Sequence, residues 1–395
     1  MKLRHWPVMS ALVLALVLGC ASQPKPPAHA LTGDPLQDGQ TMIEQGPRKD
    51  RVLWQYRTAL VAMRRGQFGL ARQLLDDALL TLGGSFGADP SARKARGYFH
   101  EEAKKTFLGE PYERVMAYVY RGILYWMDGE PDNARACFRS AQLQDADAET
   151  GAYASDYVLL DYMDGLATAR LGGDGSDAFR RAQALSKLSQ LPNYDLDANV
   201  IVFVEFGAGP LKYATGQYGE ELRFRSGQSP VKSARLKSDG LNLLVAPTDD
   251  LFYQATTRGG RVMDHILGNK AVFKEATDTA GNVALIGGLA TAGLSHSRDA
   301  QIAGLGVAAA GLLSKIVSAA TTPAADTRCW DNLPQYLSFA LVTLPPGTHT
   351  LTVEFLNRAG QVLGDRTKTF TVTVPPAPRT KVIFVSDQSS TPQTL

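Results

Sequence analysis

The apolar positions of this chain change their period along its length. Between Val52 and about residue 185 they recur at the three- and four-residue spacing of amphipathic helices, and the helices come in pairs separated by glycine. Leu60 to Gly66 leads into a run over 68–79 with Ala71, Leu75 and Ala78 on one face, and Tyr118 to Gly129 leads into Ala134, Phe138 and Ala141 at the same offsets. A weaker third copy runs from Tyr162 through Gly172 to Phe179 and Ala182. Small residues at these offsets let antiparallel helices approach closely, while the larger side chain between them fills the groove. After Leu191-Pro192-Asn193 the pattern turns β-like. Residues 199–206 predict a buried strand, and further strands are expected over 221–225, 241–246, 336–344, 348–356, 367–374 and 381–385. Pro345-Pro346-Gly347 and Ala359-Gly360 supply turns between the later ones.

Between the two groups of strands lie a helical stretch, 250–278, and an apolar pair, 283–294 and 302–317, that reads as a helical hairpin. Small residues recur at every fourth place in it (Ala284, Gly288, Ala292; Gly304, Ala308), which lets backbones touch. Neither arm reaches the roughly 18 uninterrupted apolar residues of a span, and Lys315 breaks the second. A buried or partner-covered hairpin is the favoured reading, with direct contact to lipid as the alternative. Residues 90–107 predict an extra charged helix, 20–50 an anchor with a flexible tether rich in Pro and Gln, and 386–395 a disordered tail.

The paired helices resemble the tetratricopeptide repeat, whose hairpins place Gly near the end of the first helix and Ala, Phe, Ala on the second. Ala71 and Ala134 stand 63 residues apart, against a repeat of about 34, so something is inserted between them. The expected class is an α+β multidomain protein. Tetratricopeptide-like helices would occupy 51–195, and a β-sandwich-like domain would occupy 196–385 with a helical insertion at 250–325.

Composition narrows the chemistry. Hydrophobic residues make up 44% of the 395, enough for a substantial core. Without residues 1–19 the chain loses Lys2 and Arg4 from its 41 basic side chains, leaving it formally neutral against 39 acidic ones, so nucleic acid is not an expected partner. Besides Cys20 there are only Cys137 and Cys329, too few for a disulfide framework. They read as two separate buried thiols, with a single bridge as the alternative. The six histidines, His5, His29, His100, His265, His296 and His349, are scattered singly, so no metal and no cofactor is expected. No Gly-x-Ser-x-Gly elbow or phosphate-binding loop occurs, and Gly304-Leu305-Gly306 sits inside an apolar arm where no dinucleotide loop belongs. The most polar local group is Arg258 and Arg261 with Asp264 and His265. It reads either as an anion or partner-carboxylate site or, more ordinarily, as a helix entry with solvated charges.

At the amino terminus, Lys2, Arg4 and His5 precede an apolar run over 8–18, and Gly19 precedes Cys20. This segment resembles a bacterial lipoprotein signal peptide (1–19), which implies cleavage before Cys20 and acylation of its thiol, palmitate included. Ala21 follows in place of Asp, which by the same resemblance implies the outer membrane, with the body facing the periplasm. Glu110-Pro111-Tyr112-Glu113-Arg114-Val115-Met116-Ala117-Tyr118, Tyr120-Arg121-Gly122 and 133–139 resemble a family of uncharacterised bacterial lipoproteins with tetratricopeptide-like repeats and a β-rich C-terminal domain. The likeness continues through 202–207 and 257–262 to 344–347. It implies an envelope location and no particular activity.

The leading expectation is thus a non-enzymatic, lipid-anchored periplasmic scaffold that binds other envelope proteins, as a peptide or helix in the repeat groove. One alternative is a membrane- or pore-associated transport component using the 283–317 hairpin. The other is an envelope glycan-binding protein or hydrolase whose site is assembled from distant residues.

Overall fold

The computed structural model describes residues 31–86, 105–146, 154–217, 219–257 and 325–389. Among these, eight α-helices and three β-sheets form a mixed α+β fold, and no helix is long and apolar enough to cross a membrane.

The first helix, α1 (Pro35–Gln45), lies in the stretch expected to be a flexible tether. Its start is set locally: Asp34 Oδ1 accepts the Leu36 amide at 2.8 Å, and Pro35 has no amide to satisfy. The polar composition conceals one stripe, Leu36, Gly39 and Ile43, by which α1 packs on α2 (Arg51–Arg64). There follow α3 (Phe68–Phe86), α4 (Pro111–Met127), α5 (Pro131–Asp145), α6 (Val158–Arg170) and α7 (Ser176–Leu185), each packed against the next. Of the charged helix expected over 90–107, only Lys105–Phe107 is described, and it is an irregular lead into α4 with Phe107 buried.

One turn joins α2 to α3, α4 to α5 and α6 to α7. Gly66, Gly129 and Gly172 have φ of +71°, +81° and +83°, a region closed to most side chains. In each case the next amide reaches the carbonyl five residues back: Gln67 to Ala62 at 2.8 Å, Glu130 to Tyr125 at 3.0 Å, Gly173 to Thr168 at 2.9 Å. This closure satisfies carbonyls that a helix end would otherwise leave bare. The faces predicted from the sequence are the buried ones, with Ala71, Leu75, Ala78, Ala134, Phe138, Ala141 and Ala182 all fully enclosed. A methyl on Gly122 would stand 2.9 Å from the Phe138 ring, so α4 and α5 touch there because glycine has no side chain.

The strands are β1 (Val200–Phe206), β2 (Leu211–Thr215), β3 (Glu221–Arg225), β4 (Ser233–Ser238), β5 (Leu241–Val245), β6 (Asp249–Asp250), β7 (Tyr336–Val342), β8 (Gly347–Leu356), β9 (Lys368–Val374) and β10 (Lys381–Ser386). One four-stranded sheet has the order β10-β1-β7-β6, with β1 parallel to β10 and antiparallel to β7. A second has the order β5-β4-β8-β9, and β2 and β3 form a separate hairpin. Every strand expected from the pattern is present. The pattern missed β2, β4 and β6, because β2 is half exposed, β6 is two residues long, and β4 turns only Ala234 and Leu236 inward.

Alternate residues of the first sheet serve two cores. Ile201, Phe203, Leu337, Phe339, Val382 and Phe384 join the helices, while Val202, Val204, Ile383 and Val385 join Leu236, Val353, Phe355 and Val372 of the second sheet. The helical and β-rich segments are therefore continuous in packing across residues 195–196. The tail expected from 386 is also partly built in, with Ser386, Asp387 and Ser389 buried and the Asp387 amide on Glu205 O at 3.3 Å. Parallel pairing draws it inward: β10 needs β1 as its neighbour, and the following turn closes on the end of that strand.

The expected insertion begins with a short helix, α8 (Leu251–Thr256), capped by Asp250. The hairpin 283–317 lies outside the described residues. Cys137 is half-buried and Cys329 buried, both free, as two separate thiols.

Candidate functional site

The aromatic face of α2 meets the segment that leads into β7. Trp330, fully buried, stacks on Tyr56 at 4.5 Å and lies 5.9 Å from the Tyr120 ring. Three charged arrangements fix this segment. Glu113, the third residue of a capping box that opens α4, accepts the Glu110 amide at 2.6 Å, the Trp330 amide at 2.7 Å and Lys212 Nζ from β2 at 2.6 Å. The Lys212 and Glu113 side chains are 2% and 0% exposed, and Lys212 also donates to Arg328 O at 3.0 Å. Arg328 in turn bonds Asp50 and Asp326, each at 2.6 Å, and Lys105 O at 2.9 Å. Arg57 donates to Cys329 O at 2.7 Å and to Asp331 at 2.8 Å.

Buried ion pairs add little net stability over an apolar replacement, because desolvation offsets their attraction. What these pairs do is hold three distant pieces of chain in one register. Between those pieces is a cleft of about 420 Å³, walled by Met42, Leu53 and Trp54 from α1 and α2, Leu211 and Arg225 from the β2–β3 hairpin, and the 327–331 segment. Leu211 and Arg225 face each other directly across the hairpin. Trp54 and Arg57, three apart on α2, present one face, with the guanidinium 4.9 Å from the ring centre. Arg225 is exposed, and its side chain has no hydrogen-bond or ion-pair partner among the described residues.

The cleft lies beside Cys329, whose thiol is pushed up to about 11 by burial and is therefore protonated at neutral pH. Tyr112, 3.8 Å from that sulfur, is also raised by burial. The pair is a packed, neutral contact with no activated nucleophile.

A second polar group lies deeper, where α2 and α4 meet the carboxyl end of β1. Arg64 donates to Glu205 Oε1 at 2.7 Å and to Gln388 at 2.9 Å, and Tyr120 donates to Glu205 Oε2 at 2.5 Å. Asp387, beside them, is raised to about 6, chiefly by burial. The cavity here measures about 10 Å³, room for at most one water. This arrangement locks the sheet to the helices.

After β1 the chain bends at Gly207, where φ is +83°, and Gly209 donates to Leu333 O at 2.9 Å; a methyl on Gly209 would stand 2.7 Å from that oxygen, so the two backbones touch there. Arg258, Arg261, Asp264 and His265 lie outside the described residues, as does Cys20. Among the described residues no group of three or more His, Cys, Asp or Glu is placed to hold a metal ion. The cleft residues escaped the sequence reading because they come from positions as far apart as 42 and 331. The one local signal was Glu110-x-x-Glu113, a capping-box pattern at the start of α4. No family model, no curated protein and no solved structure matches this chain.

Proposed function

We propose that this protein is a scaffold of the bacterial cell envelope, anchored through lipid on Cys20 to the outer membrane and facing the periplasm. In this reading its helical pairs act as tetratricopeptide-like repeats, its two four-stranded sheets as a sandwich-like support, and the helices bind segments of other envelope proteins. The observation that carries the reading is the threefold use of one glycine turn, together with two exposed leucines. Leu80 on α3 and Leu143 on α5 are 76% and 72% exposed. They stand 63 residues apart, the same interval as Gly66 to Gly129 and Ala71 to Ala134, so they occupy equivalent places on successive pairs. Large apolar side chains repeated at an equivalent exposed place suit a partner that runs along the stack.

The test is photocrosslinking in intact cells from positions 80 and 143, with Arg180, exposed on α7, as the control position. The same envelope protein trapped from both leucine positions, and lost in the Leu80→Asp, Leu143→Asp double variant, supports the scaffold. Crosslinks no richer than those of the control would end it. Mass spectrometry of the amino terminus tests the anchor separately: an unmodified Cys20 removes the lipid from the proposal.

A further inference from the structure

We infer that the cleft between α1–α2 and the β2–β3 hairpin is a binding site for a carboxylate carried on an apolar or aromatic stem. This goes beyond the scaffold reading and does not depend on it. At about 420 Å³ the cleft falls within the range of small-ligand sites, about 300–1,000 Å³. Its walls are held in advance by the Glu113–Lys212, Arg328–Asp50 and Arg57–Asp331 pairs, so a ligand meets a formed surface.

The charges of the walls specify the ligand. Lys212 is matched by Glu113, Arg57 by Asp331, and Arg328 by both Asp50 and Asp326. Of these four wall cations, only Arg225, at the end of β3 and exposed, has a side chain without a partner among the described residues. The Arg225 guanidinium keeps its N–H donors unpartnered, and its fork geometry suits a carboxylate. A dianion is disfavoured, because Asp50 and Asp331 stand in the same walls. Met42, Leu53, Trp54 and Leu211 supply the apolar part of the surface, and Trp54 is a half-exposed indole against which a flat or branched stem packs. Two sources present this chemistry: a free carboxylic acid and the carboxy-terminal residue of a polypeptide.

Calorimetric titration of the full chain in detergent with three probes, 3-phenylpropionate, N-acetyl-Gly-Phe carboxylate and the same peptide as its carboxamide, tests the inference. The carboxylates should bind about tenfold more tightly than the amide, the contribution of one exposed charge-assisted hydrogen bond. Arg225→Ala should erase that preference, and Arg223→Ala, exposed on the same strand, should keep it. Tighter binding of the peptide carboxylate than of phenylpropionate identifies a polypeptide end as the source, and equal binding identifies a small acid. Equal affinity for acid and amide, a preference that survives in Arg225→Ala, or no heat from any probe at about 10 mM overturns the inference. A chain without lipid or crosslinked partners would still discriminate acid from amide, so failure of this site and failure of the scaffold are told apart.

Discussion

Single residues carry unusual weight where backbone or charge leaves no substitute. Gly129 holds a positive φ in the turn between α4 and α5, and a side chain there strains the backbone with no gain in contacts, since space around it is open. Gly129→Ala should cost about 1 kcal/mol, read as a shifted urea midpoint with an unchanged slope. The Lys212–Glu113 pair behaves differently. Removing one partner leaves a buried charge, so Lys212→Met should cost about 3–5 kcal/mol. The double variant Lys212→Met, Glu113→Gln should recover a large part of that loss, because neither charge then remains to be desolvated. A double-mutant cycle showing simple additivity would count against an ion pair that sets register.

At the level of elements, α6 is tied to the first sheet by a side chain that caps it from a distance. Asp249 of β6 accepts the amides of Val158 at 2.9 Å and Leu159 at 2.8 Å, filling the start of α6. Burial raises its pKa to about 7 despite those bonds, with Asp156 and Asp161 adding like charge. Its folded value lies above the ordinary carboxylate value of 3.8, so the folded state holds the proton more tightly than the unfolded state does. Stability from this group is complete below about 4 and falls as pH rises to about 7, with a flat profile above. Asp387, raised to about 6, acts in the same sense over a narrower window. Denaturant titrations at pH 4.5, 6 and 7.5 should show the parent losing stability relative to Asp249→Asn across that interval. Parallel profiles would remove Asp249 as the source.

The whole molecule depends on a strand contributed by its last part. β10 gives Val382 and Phe384 to the helical core and Ile383 and Val385 to the core between the sheets, and Tyr120 of α4 packs edge-on to Phe384 at 6.0 Å. Truncation after Thr380 should therefore abolish native packing in the helices as well as the sheets, seen as loss of the near-ultraviolet circular dichroism signal. In the intact chain, helix and sheet signals should be lost together in one transition. A surviving, cooperatively folded helical unit after truncation would show that the two cores are energetically independent.

The elements and their inward faces are written in the order of side chains along the chain. The helical pairs, the glycine turns and seven of the strands follow from periodicities of three to four and of two, because those depend on neighbours along the chain. Polar composition hid α1, whose stripe of Leu36, Gly39 and Ile43 is narrow, and β4, whose charged positions are balanced across the sheet by Glu354. Three features arise only in the assembled fold: β10 lies parallel beside β1, Asp249 caps a helix some 90 residues earlier, and Trp54, Arg225 and the 327–331 segment share a cleft. Pairing between distant segments is chosen by the free energy of the assembled core and its buried charges, and no local window of sequence contains that sum.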